Sequence, residues 1–132
     1  MIIMSDTEKI TVNVGVVDLG KIDLLIEQGH YSNRTDFIRT ALRNQLNVHS
    51  EEVKAIVTSR VIVVGVVEYD ERRFLDVVDS GHQLDIRVVG QVSIANDVTP
   101  DLALRAIKSI RVFGVLRAPE DVKSALFNRL NT

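Results

Sequence analysis

The chain shows two hydrophobic periods in succession near its start. Residues 9–14, KITVNV, alternate polar and apolar side chains, and this period of two predicts a strand with one apolar and one polar face. The apolar positions are Ile10, Val12 and Val14, and the polar positions are Lys9, Thr11 and Asn13. Such a strand offers three hydrogen-bonding side chains to whatever lies outside it.

After this segment the pattern changes to a helical period. The apolar positions of the first predicted helix are Leu19, Ile22, Leu25 and Ile26. Gly29 is the expected residue after its C-cap, and Ser32 is the expected N-cap of a second helix. The inner side of that helix carries Phe37, Ile38, Ala41, Leu42, Gln45 and Leu46. One strand and two helices of this size bury too little surface to be stable alone, so the pattern predicts an obligate dimer.

The second half of the chain repeats. The segments 61–67, 86–92 and 110–116 align on Gly65, Gly90 and Gly114, which are 25 and 24 residues apart. A helix-like stretch follows each of them, at 70–81, 100–109 and 119–130. One strand and one helix per unit predicts a small solenoid-like α/β repeat. An ACT-like or ferredoxin-like unit, in which Gly90 splits the middle strand, remains an alternative.

These patterns divide the chain into four parts and predict an α+β fold. Residues 1–8 are expected to be a flexible arm, 9–48 the strand and helix pair, 49–59 a linker or further helix, and 60–132 the repeat domain. The repeat domain is expected to serve oligomerisation or partner binding.

Composition restricts the class of protein. Of the 132 residues, 45% are hydrophobic and 26% charged, which is typical of a globular protein. There is no cysteine, so a disulfide framework and a thiolate metal site are excluded. No apolar run is long enough to span a membrane and no signal peptide is evident. We therefore expect a soluble, cytoplasmic protein without membrane partners.

Charge does not point to nucleic acid. The net charge is −2, and residues 1–50 carry a net charge of −1. The basic residues there are Lys9, Lys21, Arg34, Arg39 and Arg43, against Asp6, Glu8, Asp18, Asp23, Glu27 and Asp36. Any contact with DNA must therefore come from the local placement of charge.

The order strand, helix, turn, helix in residues 9–46 resembles the ribbon-helix-helix DNA-binding family of bacterial repressors and antitoxins. The resemblance is carried by KITVNV, by LGKID at 19–23 and above all by YSNRTDFIRTALRNQL at 31–46. The last segment is close to the family's usual Tyr-Ser-x-Arg-Ser-Glu-x-Ile-Arg-x-Ala-Leu-Arg pattern. The resemblance implies a homodimer in which two N-terminal strands pair antiparallel and enter the major groove of double-stranded DNA.

It also implies which residues contact DNA. Lys9, Thr11 and Asn13 would face base edges, whereas the start of the second helix would meet a phosphate. The phosphate-contacting residues implied in this way are Ser32, Asn33, Arg34 and Thr35.

Some positions depart from the family pattern. Gly15 stands where proline is frequent, Val16 and Val17 where acidic residues are frequent, and Asn13 where arginine is frequent. The ribbon then carries one positive charge per protomer, at Lys9. We expect modest affinity for each dimer, helped by several dimers that bind side by side.

Other chemistry finds little support. His30, His49 and His82 are not spaced as metal ligands, so neither a metal nor another cofactor is expected. The acidic pairs 70–71 and 120–121 stand at helix starts, where they favour the helix dipole. No Ser/His/Asp motif or glycine-rich phosphate-binding motif is present, and the chain is not expected to be an enzyme.

The sequence thus predicts a sequence-specific, nucleoid-associated transcriptional regulator, a repressor, that acts as a homodimer or a higher oligomer. Two alternatives remain. The chain could be an antitoxin whose C-terminal half neutralises a toxin, or a self-assembling scaffold for which DNA is an anchor.

Overall fold

A computed structural model describes residues 7–130, which fall into two units. One unit contains residues 9–56, and the other contains residues 57–130 together with residues 7 and 8. Most of the predicted arm, residues 1–6, lies outside the described residues. Within residues 7–130, none of the helices is long and apolar enough to cross a membrane.

The first unit is helical. Its elements are α1 (Val16–Glu27), α2 (Arg34–Val48) and the start of α3 (Ser50–Ser59), which continues into the second unit. Residues 9–14 have no regular secondary structure in the single chain, and the alternating segment thus forms no strand on its own. A strand needs hydrogen bonds from a neighbouring strand, which sequence periodicity cannot supply.

The turn between α1 and α2 is fixed by backbone and side-chain caps. Gly29 has a φ of 85°, its N–H donates to the carbonyl of Ile26, and the N–H of His30 donates to that of Leu25. These two bonds form the Schellman motif that ends α1. The N-cap of α2 is Asn33, whose side chain accepts from the N–H of Asp36 at 2.8 Å. The prediction of Ser32 as N-cap is therefore wrong by one residue.

The second unit alternates strands and helices. After α3 come β1 (Val63–Tyr69), α4 (Glu71–Asp79), β2 (Leu84–Ile94), α5 (Pro100–Ala106), β3 (Ile107–Arg117), α6 (Glu120–Leu126) and a 3₁₀ turn (Phe127–Arg129). The sheet is parallel with the order β1-β2-β3, because each crossover helix returns the chain to the end of the sheet at which the previous strand began. β2 is one continuous strand, so the split, antiparallel arrangement of a ferredoxin-like unit is not found.

Some predicted boundaries differ from those observed. β1 begins two residues after the predicted start, because Val61 adopts a φ of 52°, which is incompatible with a strand. α5 ends earlier than predicted, since Ile107 is extended and pairs with Leu84 as the first residue of β3.

The three repeated glycines lie side by side across the sheet. Gly65 pairs with Gly90 and Gly90 with Gly114, with φ values of 142°, 134° and 130°. A Cβ atom on Gly90 would lie 2.1 Å from the carbonyl oxygen of Gly65, and one on Gly114 would lie 2.0 Å from that of Gly90. Gly65 has the same conformation, but its Cβ would meet nothing within 4 Å.

The hydrophobic core lies between one face of this sheet and helices α4, α5 and α6. Its largest fully buried side chains are Phe74, Val88, Val92, Ile107, Ile110, Val122 and Leu126. Burial of each such side chain contributes about 1.5–3 kcal/mol. Because side chains alternate along a strand, residues such as Val64, Arg87, Arg111 and Phe113 lie on the opposite face, here called the far face.

Candidate nucleic-acid interface

The segment 9–14 presents unburied apolar side chains in the single chain. Ile10 is 74% exposed, Val12 70% and Val14 46%. The polar residues between them, Lys9, Thr11 and Asn13, are exposed as well. Burial of these three apolar side chains would contribute several kcal/mol of favourable free energy that the single chain does not gain. The segment is therefore complete only when another surface covers these side chains.

The helices of the first unit show the same feature. Ile22, which is 9% exposed, is the only buried residue of α1, α2 and α3. The side of α2 that was expected to face inward is largely open, with Ile38 at 47%, Leu42 at 52% and Leu46 at 62% exposed. A single copy of this unit thus has no core of its own, as its small size led us to expect.

The base of α2 is tied to α1 by an ion pair. The Nε and Nη2 atoms of Arg34 donate to the two carboxylate oxygens of Asp23 at 2.9 and 2.8 Å. This bidentate bond lowers the pKa of Asp23 below its ordinary value and raises that of Arg34. The guanidinium group that was predicted to contact a phosphate is therefore already bound to a carboxylate of its own chain.

The N-terminus of α2 brings the four predicted phosphate-contacting residues together, but with an anion among them. The carboxylate of Asp36 accepts from the backbone N–H of Ser32 at 2.9 Å. The side-chain oxygen of Asn33 already accepts from the backbone N–H of Asp36 as the N-cap. The backbone N–H groups of Arg34 and Thr35 belong to the first helical turn and have no intrahelical acceptor. These N–H groups are what this helix start can offer to a phosphate.

The histidines do not converge. His49 lies 3.1 Å from a carboxylate oxygen of Glu52, and His82 lies 3.3 Å from the hydroxyl of Ser80. Among the residues that the structure describes, no group of three or more His, Cys, Asp or Glu side chains is placed to hold a metal ion.

A contact that sequence reasoning did not find joins the two ends of the second unit. Arg117, at the end of β3, donates to the Glu8 carboxylate at 2.8 Å and to the Gln91 side chain at 3.0 Å. Arg117 also lines a cleft of about 660 Å³ at the carboxyl ends of the parallel strands. Burial raises the pKa of Tyr69 in its wall, although the nearby Arg73 opposes this. The cleft could have been anticipated only from the alternation of strands and helices, because ligand clefts form at the carboxyl ends of parallel strands.

Comparison with known proteins identifies the family. A family model described as the ribbon-helix-helix transcriptional regulator family matches residues 5–123. The chain therefore belongs to this family, which implies a DNA-binding transcriptional regulator that dimerises. The match extends well beyond the N-terminal residues that carried the resemblance and runs through the sheet into α6. No curated protein and no solved structure matches the chain.

Proposed function

We propose that the protein is a sequence-specific repressor that binds double-stranded DNA as a homodimer, in the cytoplasm at the nucleoid. The observation that carries the proposal is the exposed apolar alternation at Ile10, Val12 and Val14. Antiparallel pairing with the same segment of a second copy supplies the missing strand hydrogen bonds. It also places these side chains against the open sides of the helices and turns the polar positions outward together.

The outward positions match the chemistry of base edges in the major groove. Lys9 donates to guanine, Asn13 pairs with the N6 and N7 atoms of adenine, and Thr11 bonds a base edge or touches a thymine methyl. We assign base contact to these three residues because they are exposed and spaced at every second position. A two-stranded ribbon fits the width of the major groove.

The start of α2 is assigned to the phosphate backbone. Ser32, Asn33 and Thr35 surround the helix N-terminus, whose partial positive charge attracts anions. The direct donors are the backbone N–H groups of Arg34 and Thr35. The Arg34 side chain has an indirect role, because its ion pair with Asp23 holds the start of α2 against α1. Such contacts fix the position of the dimer on DNA without reading sequence.

The second unit is assigned to higher assembly. Its β1 edge is lined by Val63, Val64 and Val66, which are 55%, 64% and 50% exposed. An apolar edge strand with unpaired backbone groups can pair with a strand of another molecule. Assembly of several dimers through this edge would compensate for the modest charge of each ribbon.

Selection of bound sites from random duplex DNA tests the regulator assignment, followed by anisotropy titration of the selected site against scrambled DNA. We expect a preferred site with twofold symmetry. Asn13→Ala should reduce the preference by about 5- to 150-fold for each half-site of the dimer, which corresponds to 1–3 kcal/mol for one base contact. Asn47→Ala, at an equally exposed asparagine of α2, is the matched control and should change nothing. Failure of the intact protein to bind any duplex at low salt would refute the assignment.

Light scattering over a concentration series tests the assembly assignment separately. The wild-type protein should grow beyond a dimer, whereas Val64→Lys should remain dimeric at every concentration. Phe127→Lys, at a side chain that is 74% exposed and outside the sheet, should behave as wild type. A fixed dimer in all three proteins would contradict this part of the proposal.

A further inference from the structure

Buried polar side chains stand beside the cleft at the carboxyl ends of the parallel strands. Gln91 and Ser93 are 5% and 7% exposed, and among residues 7–130 they are the buried polar side chains. The side-chain amide of Gln91 donates to the hydroxyl of Ser93 at 3.0 Å. The two residues are two positions apart on β2, so both project from the same face. Because buried polar groups are costly unless they are bonded, this end of the sheet is built for polar contacts.

Gln91 in turn positions the guanidinium group of Arg117. Its side-chain oxygen accepts from the Nε atom of Arg117 at 3.0 Å, and the sheet register sets Arg117 beside Ser93. The Nη2 atom of Arg117 donates to the Glu8 carboxylate at 2.8 Å and to the Thr7 carbonyl at 3.5 Å. The buried side chains thus hold a guanidinium group at the cleft in an orientation that already binds a carboxylate.

The Glu8 carboxylate can be replaced by that of a small molecule. The side chains of Arg117 and Glu8 are 40% and 50% exposed, so a solute can reach the ion pair, and exposed pairs contribute little to stability. Residues 7–15 have no regular secondary structure. Displacement of Glu8 therefore breaks no helix or strand.

The charged side chains that line the cleft have both signs. Glu68, Asp70 and Arg73, at the end of β1 and the start of α4, carry a net charge of −1, whereas Arg117 at the end of β3 carries +1. A dianion would meet like charge on the first side, and a dication would meet like charge on the second. A molecule with one carboxylate and one ammonium group is complementary to both sides, with its carboxylate at Arg117.

The size and the apolar walls of the cleft also suit such a molecule. Its volume of about 660 Å³ is within the range of about 300–1,000 Å³ for small-molecule sites. The ring of Tyr69 stacks on Phe74 at 5.1 Å, and the guanidinium carbon of Arg73 lies 4.5 Å from its centroid. The cleft therefore offers no open aromatic face to a nucleobase. Ile94 and Ala95 provide apolar surface for an aliphatic side chain.

We propose that the cleft binds an amino acid, whose carboxylate replaces that of Glu8 at Arg117 and thereby weakens DNA binding. Glu8 directly precedes Lys9, the first residue assigned to the ribbon. The ion pair holds the chain one residue before the ribbon and so reduces the conformational freedom that ribbon pairing must remove. The amino acid releases this segment. Its effect on DNA rests on the proposed function, whereas its binding to the cleft does not.

Calorimetric titration of the full-length protein without DNA tests the site. The probes are the standard amino acids, with succinate and putrescine as the dicarboxylate and the diamine. We expect at least one amino acid to bind once per protomer. Arg117→Gln should lower its affinity by about 10- to 150-fold, and Glu8→Gln should raise it by about 2- to 5-fold because the competing carboxylate is gone. Arg105→Gln and Asp101→Asn, which break a separate exposed ion pair of the same unit, should leave it unchanged.

Three results would overturn the site. They are no binding of any amino acid to the wild-type protein or to Glu8→Gln, binding of succinate or putrescine alone, and equal affinity in Arg117→Gln and wild type. Circular dichroism checks that each variant is folded. If Arg117→Gln is unfolded, Glu8→Gln decides alone, and an unchanged affinity for the amino acid would then overturn the competition.

Anisotropy titration of the selected DNA site tests the coupling. A saturating amount of the amino acid should lower the DNA affinity of the wild-type protein by about 5- to 150-fold, the usual range for coupled sites. Glu8→Gln should bind DNA weakly from the start and should not respond. An unchanged DNA affinity of the wild-type protein would overturn the coupling. Absence of DNA binding in every protein would refute the proposed function instead, and the calorimetric result would still decide the site.

Discussion

The central glycine of the sheet offers the sharpest test of the fold. Gly90→Ala and Gly65→Ala change the same residue type in the same backbone conformation, with φ values of 134° and 142°. They differ in surroundings. The new methyl group meets the Gly65 carbonyl oxygen at 2.1 Å in the first variant and nothing within 4 Å in the second. The comparison therefore separates the cost of the clash from the cost of the conformation.

The magnitudes follow from these distances. A non-glycine residue in this region of φ costs on the order of 1–3 kcal/mol, and both variants should lose that much. Gly90→Ala must also move β1 and β2 apart by about 1 Å, because an uncompressed carbon–oxygen contact is roughly 3.3 Å. Overpacking of this kind costs about 1–3 kcal/mol, and each weakened ladder hydrogen bond about 0.5–1.5 kcal/mol more. We expect Gly90→Ala to lose about 2–4 kcal/mol more than Gly65→Ala.

Urea unfolding followed by far-UV circular dichroism measures both losses, at one low protein concentration because dimerisation contributes to stability. Circular dichroism is suitable because the chain has no tryptophan as a fluorescent reporter. Because small domains have about 5–15 kcal/mol of stability, the sheet of Gly90→Ala should be close to unfolding. Losses that agree within about 0.5 kcal/mol, the usual range for an unconstrained surface change, would refute the steric reasoning.

Three further predictions concern the two units separately. Asn33→Ala should lower the free energy of unfolding by about 1 kcal/mol, because it removes the N-cap of α2. Ser32→Ala should change it by less than about 0.5 kcal/mol, since the bond of Ser32 to Asp36 comes from its backbone N–H. Equal shifts in thermal unfolding of the two variants would contradict the assigned cap. Because Arg34 lowers the pKa of Asp23, that pair stabilises the protein above the ordinary carboxyl pKa of about 3.9, and this stabilisation is lost as the pH falls through the lowered value. Asp23→Asn should thus show a smaller drop in melting temperature on acidification than wild type, and an equal drop would exclude the ion pair as a source of acid sensitivity. Phe74→Ala should cost about 3–5 kcal/mol by urea unfolding, because this fully buried ring stacks on Tyr69 at 5.1 Å, and a cost below 1 kcal/mol would mean that α4 does not pack on the sheet.

The sequence predicted those elements whose stabilising contacts all lie within one chain. The spacing of Gly65, Gly90 and Gly114 indicated equivalent positions, and the sheet aligns them because each unit returns the chain by one strand and one helix. The helical periods located α1 and α2 to within a few residues. The strand at 9–14 could not be realised in one chain, since its hydrogen bonds and apolar contacts belong to a second copy under the proposed function.

Contacts between side chains far apart in sequence were not predictable. Arg34 was expected at a phosphate, but the turn at Gly29 brings it back onto Asp23 of the preceding helix. Asn33 replaced Ser32 as N-cap because α2 begins at Arg34, which places Asn33 within reach of the N–H of Asp36. The pairing of Arg87 with Arg111 depends on the β2–β3 register, which a charge count does not reveal.

The row of glycines also determines how the strands can be aligned during folding. Their flanking residues are nearly interchangeable, because Val63, Val67, Val88 and Val92 all occupy equivalent positions around Gly65 and Gly90. A slip of two residues would keep every valine on the correct face, so hydrophobicity alone cannot prevent it. Such a slip would set Gly65, at a φ of 142°, beside Val88 or Val92, and a β-branched residue does not readily adopt the positive φ that the paired glycines share. The shared glycine conformation at one position per strand thus favours the aligned sheet over the misaligned sheets that a valine-rich sequence would otherwise permit.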